Sequence, residues 1–365
     1  MTRPRFGILY LILLPVLVLP TVVMLWLPVR GDVAEQLYYD AVAASAADHP
    51  ALAREFFRMA ASYGHLEAAY NLGMMYLLGL GGPADAEAAR EQFELAVLYG
   101  STDAEYQLGL LDEARRPDPD YNGAALHYNR AALAGHVEAQ AALGRFYENG
   151  FGVNRSPILA AEFYRKAAAA GHAQAQCALA ELLLETEPHQ EEEAFRLFTL
   201  AAKAGFARAY TGLGLLHERG WGGHAPDRDK ALACYRKAAE LGDVSGMVDL
   251  GDLIAAEKSE LARKFYEQAA ERGFAPAWHR LGLLHFNGTP GGKPDFAAAR
   301  QCFERAAALG NAASWINLGI MYELGRGVAA DGVRAEQCYR KALALGHPDA
   351  PKRLAALGGD SPPEQ

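Results

Sequence analysis

The residue types that most often carry chemistry, histidine and cysteine, recur in this sequence at regular places rather than in one cluster. Four histidines each follow a glycine directly: His65, His136, His172 and His347. Three of the four cysteines lie eight residues before a glycine that occupies the equivalent place in its own segment: Cys234, Cys302 and Cys338. Metal centres and nucleophilic sites need several groups that converge on one point, whereas these residues occur singly in separate segments. We therefore interpret the histidines as helix-start residues and the cysteines as buried apolar thiols.

The sequence motifs of common catalytic and nucleotide-binding sites are absent. There is no G-x-x-x-x-G-K-[ST], no G-x-S-x-G, no C-x-x-C and no H-E-x-x-H. The run Gly79-Leu80-Gly81-Gly82 does not follow a predicted strand, and its equivalents elsewhere connect helices. The carboxylates Glu191, Glu192 and Glu193 open a predicted helix, where negative charge is favourable. The sequence therefore predicts a protein that is not an enzyme and that takes no cofactor, metal or small-molecule substrate.

A repeating skeleton accounts for these regular places. Its most regular member, here called the terminal glycine, occurs nine times: Gly64, Gly100, Gly135, Gly171, Gly205, Gly242, Gly273, Gly310 and Gly346. Before Gly135, an alanine lies at the fourth position (Ala131) and an aromatic residue at the seventh (Tyr128), and Leu143 lies eight residues after it. The other terminal glycines have equivalent neighbours. The skeleton predicts a helix, a glycine stop, a second helix and a variable connection, repeated along the chain.

A small residue follows each of these leucines. It is glycine in seven repeats: Gly73, Gly109, Gly144, Gly214, Gly251, Gly282 and Gly319. After Leu179 it is Ala180. A glycine inside a helix costs roughly 0.5–1 kcal/mol relative to alanine, so its repeated use predicts a close approach between helices.

The pattern A-x3-[FY]-x2-A-x3-G-x3-A-x3-L-G, with loops such as Asn149–Val153 and Leu324–Val328, resembles the Sel1-like repeat family, a relative of the tetratricopeptide repeat. The resemblance implies an all-α fold, an α/α solenoid of about eight to nine helix-pair repeats, which we place at residues 30–357. It also implies an adaptor role in protein complexes. Three repeats depart from the family loop: those that begin at Ser101, His172 and Asp243. We expect partner-specific surface at these departures.

A single apolar segment precedes the repeats. Residues 6–29 carry no charge, and about 20 apolar residues suffice to span a bilayer. Arg3 and Arg5 precede the segment, so the positive-inside rule places residues 1–5 in the cytoplasm and the repeats in the periplasm. A cleaved signal peptide, whose apolar region is about 7–15 residues long, and a buried core helix are the alternatives. We predict an uncleaved anchor in a bacterial inner membrane.

The charge of the chain argues against nucleic acid as a partner. The formal net charge is −9, and 32 basic residues face 44 acidic ones once residues 1–30 are set aside. Binding to a phosphate backbone requires a net basic surface. We therefore expect no nucleic-acid partner, and the family resemblance implies protein partners.

The helix after each terminal glycine offers a candidate partner-binding register, five residues past the glycine. Along the chain this register changes from polar to large and apolar, and it ends with Tyr210, Met247, Trp278 and Trp315. Aromatic anchors carry much of the energy of protein interfaces. One hypothesis is that these four residues line a groove for an extended or helical segment. The alternative is that the tryptophans fill gaps in the core.

Together these patterns predict a membrane-anchored interaction scaffold whose periplasmic repeats recruit or assemble an envelope or secretion complex. A cytosol-facing signalling adaptor held at the membrane and a secreted ligand-binding protein of the same repeat type are the alternatives. Some relatives of the latter type have a cysteine pair in each repeat, which this chain lacks. Residues 358–365 are predicted to form a disordered tail.

Overall fold

The computed structural model describes residues 31–186, 190–288 and 292–358 and shows an all-α helical-repeat solenoid. A helix over residues 31–46, α1, comes first. The next nine are α2 (Pro50–Ser62), α3 (Leu66–Leu78), α4 (Ala86–Leu98), α5 (Thr102–Ala114), α6 (Tyr121–Leu133), α7 (Val137–Asn149), α8 (Pro157–Ala169), α9 (Ala173–Thr186) and α10 (Glu191–Lys203). The last nine are α11 (Ala207–Arg219), α12 (Arg228–Glu240), α13 (Val244–Ile254), α14 (Ser259–Glu271), α15 (Ala275–Asn287), α16 (Phe296–Ala308), α17 (Ala312–Leu324), α18 (Gly332–Ala344) and α19 (Ala350–Ala356).

The predicted membrane anchor lies outside the described residues. So do the predicted cytoplasmic residues 1–5 and all of the predicted tail except Gly358. Among the helices of the described ranges, none combines the length and the apolar character that a bilayer crossing requires.

The chain consists of two compact units: unit one extends to residue 175, and unit two begins at residue 176. In each unit, consecutive helices pack against one another in chain order, joined by short connections. We call the helices that follow a terminal glycine A helices, from α3 to α17 in odd numbers. The helices that end before one are B helices, from α2 to α18 in even numbers. In unit two, the A helix α13 also contacts the A helices on either side of it, α11 and α15.

The terminal glycines end the B helices as the sequence predicts. Gly100 has φ +94°, its N–H donates to the carbonyl of Val97, and the N–H of Ser101 donates to the carbonyl of Ala96. This is a Schellman motif, in which a left-handed residue allows the chain to satisfy the last helical carbonyls. Ala96 and its equivalents four residues before the other terminal glycines are all fully buried. This alanine therefore packs in the core, and its carbonyl accepts the hydrogen bond that closes the turn.

Three of the helices that follow a terminal glycine begin with an unusual cap, a histidine. The Nδ1 atoms of His65, His136 and His172 accept hydrogen bonds from backbone N–H groups three residues on, at 3.1–3.2 Å. An accepting Nδ1 leaves the proton on Nε2, and in two cases Nε2 faces a carboxylate, Glu35 for His65 and Asp103 for His136. The prediction that these three residues start helices is confirmed, and the structure adds that the imidazole itself is the cap. The same prediction is wrong for His347, because α19 begins three residues later, at Ala350.

The glycine after each leucine makes room for an aromatic ring of the paired B helix. A Cβ atom built on Gly144 would lie 2.6 Å from the ring of Tyr164, and one on Gly319 would overlap the ring of Tyr339. The same relation joins five more pairs: Gly73 with Phe93, Gly109 with Tyr128, Gly214 with Tyr235, Gly251 with Tyr266, and Gly282 with Phe303. The predicted close approach is therefore that of a ring to a helix backbone.

We expect Gly319→Ala to destabilise the protein by about 1–3 kcal/mol, the usual range for overpacking a core. The loss should appear although alanine favours a helix more than glycine does, because Tyr339 is fully buried and cannot yield. Chemical denaturation followed by circular dichroism measures the change. Gly332→Ala is the matched control, since a Cβ there meets open space at the first residue of α18. Equal midpoints for the two variants would contradict the packing argument.

Candidate partner-binding surfaces

Two faces of each A helix are candidates for partner binding. Residues three, seven and ten after the terminal glycine share one face, and residues five, eight and twelve share another, because these spacings follow the helical period. In unit two the first face lines a cleft that runs between neighbouring A helices. The second face lines a cleft bounded by neighbouring B helices. The register chosen from the sequence, five residues after the glycine, belongs to the second face.

Trp315 lies in a cleft of about 300 Å³, here called the tryptophan cleft. Its main lining residues are Glu304 of α16, Trp315, Leu318 and Tyr322 of α17, and Arg334 and Lys341 of α18. The Nζ atom of Lys341 lies 4.2 Å from the centre of the Trp315 ring, and the guanidinium carbon of Arg334 lies 5.6 Å from that of Tyr322. The cleft thus combines an aromatic floor with a cationic rim.

Trp278 repeats part of this arrangement one repeat earlier. It packs partly buried against the core formed by α12 to α16, and the guanidinium carbon of Arg305 lies 4.5 Å from the centre of its ring. Arg305 and Lys341 both lie five residues before a terminal glycine, so the two tryptophan–cation pairs are equivalent. Each tryptophan therefore packs on the core and leaves part of its ring at the surface.

The other two predicted residues are placed differently. Met247 is buried, only 3% exposed, within the core of α12 to α16. Tyr210 is half-buried, and its hydroxyl donates a hydrogen bond of 3.1 Å to the carbonyl of Ala202 on the preceding B helix. These two residues thus join A helices to their neighbours, whereas Trp315 faces a cleft.

A set of tyrosine–carboxylate hydrogen bonds, which sequence reasoning missed, joins the two helices of five repeats. The hydroxyl donors and carboxylate acceptors are Tyr128 and Glu113, Tyr164 and Glu148, Tyr235 and Glu218, Tyr266 and Asp252, and Tyr339 and Glu323, at 2.6–2.9 Å. Burial, followed by the nearby carboxylate, raises the pKa of the Tyr128 and Tyr235 hydroxyls well above the usual value of a phenol. These phenols therefore remain protonated donors.

Arginines of the next A helix add a second partner to two of these carboxylates. Arg145 donates to Glu113 at 2.8 Å, and Arg280 binds Asp252 through two nitrogens at 2.7–2.8 Å. Burial alone would raise the pKa of Glu113, but hydrogen bonds from Arg145 and Tyr128 hold it below its usual range. The carboxylates thereby connect successive A helices as well as the two helices of one repeat.

The second cleft of unit two, here called the Asp249 cleft, has a volume of about 330 Å³ and lies along α9, α11 and α13. Its main lining residues are Glu181 and Leu184 of α9, Phe198 of α10, Leu215 and Arg219 of α11, and Asp249 of α13. Arg208 closes one side by binding Glu181 through two nitrogens at 2.6 and 2.9 Å. Asp249, by contrast, makes no hydrogen bond or ion pair with the described residues.

The electrostatic surroundings of Asp249 are unfavourable to its charge. Burial in the first place, and then the carboxylates of Asp252, Glu218 and Asp243, raise its pKa to about 6 from the usual 3.8, and Arg280 offsets this only in part. An unpaired carboxylate whose pKa is raised and which lies in a cleft is a candidate functional residue.

The sequence origin of the Asp249 cleft lies in two departures from the repeat. In the repeat that begins at His172, Ala180 replaces the glycine that receives the aromatic ring in seven other repeats. The ring of Phe198 packs instead against Gly212 of α11, in the next repeat, where a Cβ atom would overlap it. The repeats that begin at His172 and Asp243, which contribute α9 and α13, are two of the three with irregular connections. The cleft therefore lies among repeats where the sequence suggested partner-specific surface.

A third cavity, in unit one, accompanies the remaining irregular repeat. It lies between α4 and the connection that follows α5, and Arg90, Arg115 and Arg116 line it. Arg90 is not available to a ligand, because it binds the buried carboxylate of Asp112 at 2.5 Å. In the ranges that the structure describes, no three histidine, cysteine, aspartate or glutamate side chains come close enough to hold a metal ion.

Comparison with known protein families identifies the repeats. The family model described as "Sel1 repeat" matches nine segments: residues 44–65, 66–100, 102–136, 137–172, 173–206, 207–243, 255–274, 275–311 and 316–347. An uncharacterized protein of Neisseria meningitidis serogroup B is 29% identical over 170 residues, which are 45% of this chain and 35% of that protein. The chain thus matches only about a third of the length of this curated relative.

Two solved structures are similar over most of the chain. A Sel1 repeat protein from Oxalobacter formigenes has a TM-score of 0.55 at 27% identity, covering 83% of this chain and 89% of that one. A protective antigen of uropathogenic Escherichia coli with an SLR fold has a TM-score of 0.68 at 24% identity, covering 87% of this chain and 76% of that one. At this identity, the second comparison shows a shared fold.

Proposed function

We propose that this chain, which belongs to the Sel1 repeat family, is a protein-interaction scaffold that residues 6–29 hold in a bacterial inner membrane. Its repeats would face the periplasm and recruit the components of an envelope or secretion complex. The membrane part of the proposal is supported by the uncharged apolar segment and the arginines before it.

The observation that carries the scaffold role is the tryptophan cleft. Tryptophan, tyrosine and arginine are the residues most enriched at the energetic centres of protein interfaces, and this cleft brings Trp315, Tyr322 and Arg334 together. Lys341 covers one face of the Trp315 ring, and both side chains remain accessible in part. An apolar side chain of a partner would enter between the rings while the cations hold its polar neighbours.

A site-specific crosslinker tests the cleft in the membrane where the protein works. We would place a photoreactive phenylalanine at Gln337, which lines the tryptophan cleft, and irradiate intact cells. We expect a discrete crosslinked partner, and we expect Trp315→Ala to lower its yield about tenfold or more, as for a typical hot spot. Ile158→Ala, which removes an exposed apolar side chain of unit one, is the control. Equal yields for folded Trp315→Ala and Ile158→Ala proteins would remove the cleft from the proposal.

The orientation in the membrane requires a separate experiment. A C-terminal reporter that is active only outside the cytoplasm should be active, and the chain should remain with the membrane after high-salt washing. An inactive but fully expressed fusion would favour a cytosol-facing adaptor, and a shortened, soluble protein in the periplasm would favour a secreted one. Neither result would alter the crosslinking test.

A further inference from the structure

The Asp249 cleft is walled by apolar side chains and carries one carboxylate that the fold leaves unmatched. Leu184, Leu215 and Phe198 provide the apolar walls and floor. Asp249 is only partly exposed, and its carboxylate lines the same space. A buried carboxylate costs stability unless a cation or hydrogen-bond donors accompany it, so the fold itself gains nothing from this charge.

Two other carboxylates near the cleft have a cationic partner, and Asp249 has none among the described residues. Glu181 is matched by Arg208, and Asp252 is matched by Arg280, each through a bidentate contact. Asp249 remains without such a match, and Glu185 at the rim adds a further negative charge. Arg219, at the end of α11, is the one lining arginine that makes no ion pair with the described residues. The inner part of the cleft thus complements a positive charge.

The apolar walls narrow the choice of ligand. A cleft of about 330 Å³ is at the small end of ligand sites and suits one long side chain with its flanking backbone rather than a folded domain. Lysine and arginine combine an apolar stem with a terminal cation, and they bury the stem along apolar surface. A small inorganic cation would leave the leucines and Phe198 unused.

We propose that the Asp249 cleft binds a lysine or arginine side chain from an extended segment of a partner protein. The cation pairs with Asp249, the stem lies against Leu184 and Leu215, and the peptide backbone follows the row of A helices. The proposal rests on the proposed scaffold role only in taking a polypeptide as the ligand. It uses a different face from the tryptophan cleft, so either site can fail without the other.

A peptide selection tests the chemistry of the cleft while the natural partner is still unidentified. We would pan a library of random twelve-residue peptides lacking histidine against the detergent-solubilised full-length protein, and compare the binding of the enriched peptides to the parent and to Asp249→Asn afterwards. The enriched peptides should share a lysine or arginine beside an apolar residue. Their affinity should fall about tenfold or more in Asp249→Asn, as expected when a charge-assisted contact is lost. Asp229→Asn, which neutralises an exposed carboxylate of α12, should bind as the parent protein does.

The pH dependence of binding gives a second readout from the same peptides. The charged groups around Asp249 are Glu181, Glu185, Arg208, Glu218, Arg219, Asp243, Asp252 and Arg280, and the neutral hydroxyls of Tyr235 and Tyr266 also lie nearby. The ligand cation requires ionised Asp249, so affinity should be full above pH 7 and weaken as the pH falls through about 6. Calorimetry at pH 6 in buffers of different ionisation enthalpy should show proton release on binding.

Two results would overturn the proposal. One is a set of selected peptides with no basic residue in common. The other is basic peptides that bind the folded Asp249→Asn protein as tightly as the parent, with the same pH profile. A selected family that depends on Trp315 and not on Asp249 would support the scaffold role while rejecting this cleft.

Discussion

Tyr235→Ala should destabilise the protein by about 3–5 kcal/mol, the usual cost of removing a large buried ring. The ring of Tyr235 is fully buried and packs against the backbone of Gly214, so alanine would leave a cavity between α11 and α12. The loss would also remove the hydroxyl that donates to Glu218 at 2.7 Å.

Tyr235→Phe separates the two contributions. It keeps the ring and removes only the hydroxyl, so we expect a loss of about 1 kcal/mol, near the net value of one hydrogen bond. Glu218→Gln in both backgrounds completes a double-mutant cycle, and equilibrium denaturation supplies the four free energies of unfolding. A Tyr235→Ala loss no larger than that of Tyr235→Phe would show that the ring does not hold the repeat together.

Lowering the pH from 7 to 4 should cost the protein about 2–3 kcal/mol of stability through His279 alone. Burial, and then Arg280, lower the pKa of this imidazole from 6.5 to about 4. The unfolded state therefore binds a proton at a higher pH than the folded state does. The contribution of His279 is full above about pH 6.5 and is lost as the pH falls towards 4, because one pKa unit corresponds to 1.36 kcal/mol.

The hydrogen bonds of His279 suggest the control. Its Nδ1 atom lies 2.9 Å from the Ser314 hydroxyl, which in turn donates to the side-chain oxygen of Asn311. The hydroxyl therefore accepts, and Nδ1 carries the proton of the neutral ring. His279→Asn keeps a donor near that position but does not titrate. Its stability should fall less steeply between pH 7 and 4, and parallel pH profiles for the two proteins would contradict the assignment.

The sequence predicted the repeat and its turns because their causes are local. A terminal glycine ends a helix through its left-handed conformation, which depends on no distant residue. The alanine four residues before it and the aromatic seven before it fall on one face of the same helix. Nine equivalent copies made each of these assignments stronger than any single copy could. The all-α repeat fold and the family could therefore be read from the chain.

The faces of the A helices could not be assigned in the same way. The register of Trp315 looked like the binding surface because it grew more aromatic along the chain. In the structure, the same register buries Met247, hydrogen-bonds Tyr210 to a B helix and leaves the Trp315 ring in a cleft. Which of these occurs depends on the side chains of two neighbouring helices, which spacing within one helix does not reveal. Whether Trp315 binds a partner stays a prediction.

The Asp249 cleft also could not be predicted from the sequence. Ala180 and the irregular connections were visible as departures from the pattern, and they suggested where to look. Ala180 and the irregular connections did not indicate that Asp249 would lack a partner. Asp249 lacks one because the two nearby arginines bind other carboxylates: Arg208 binds Glu181, and Arg280 binds Asp252. Charge pairing across repeats is a property of the packed array.

The tyrosine–carboxylate bonds have an evolutionary consequence. In each of the five pairs, donor and acceptor lie in the two helices of one repeat, and so does each glycine that receives the ring of such a tyrosine. A whole repeat can therefore be duplicated or deleted by recombination without stranding a buried phenol or opening a hole beside a ring. What changes at the new junction is the set of contacts between repeats, such as the arginine ion pairs of the A helices, which are partly exposed and of small energetic weight, and the packing of Phe198 on Gly212. Arrays of this kind can thus change length while later substitutions refine the surfaces that distinguish one copy from the next.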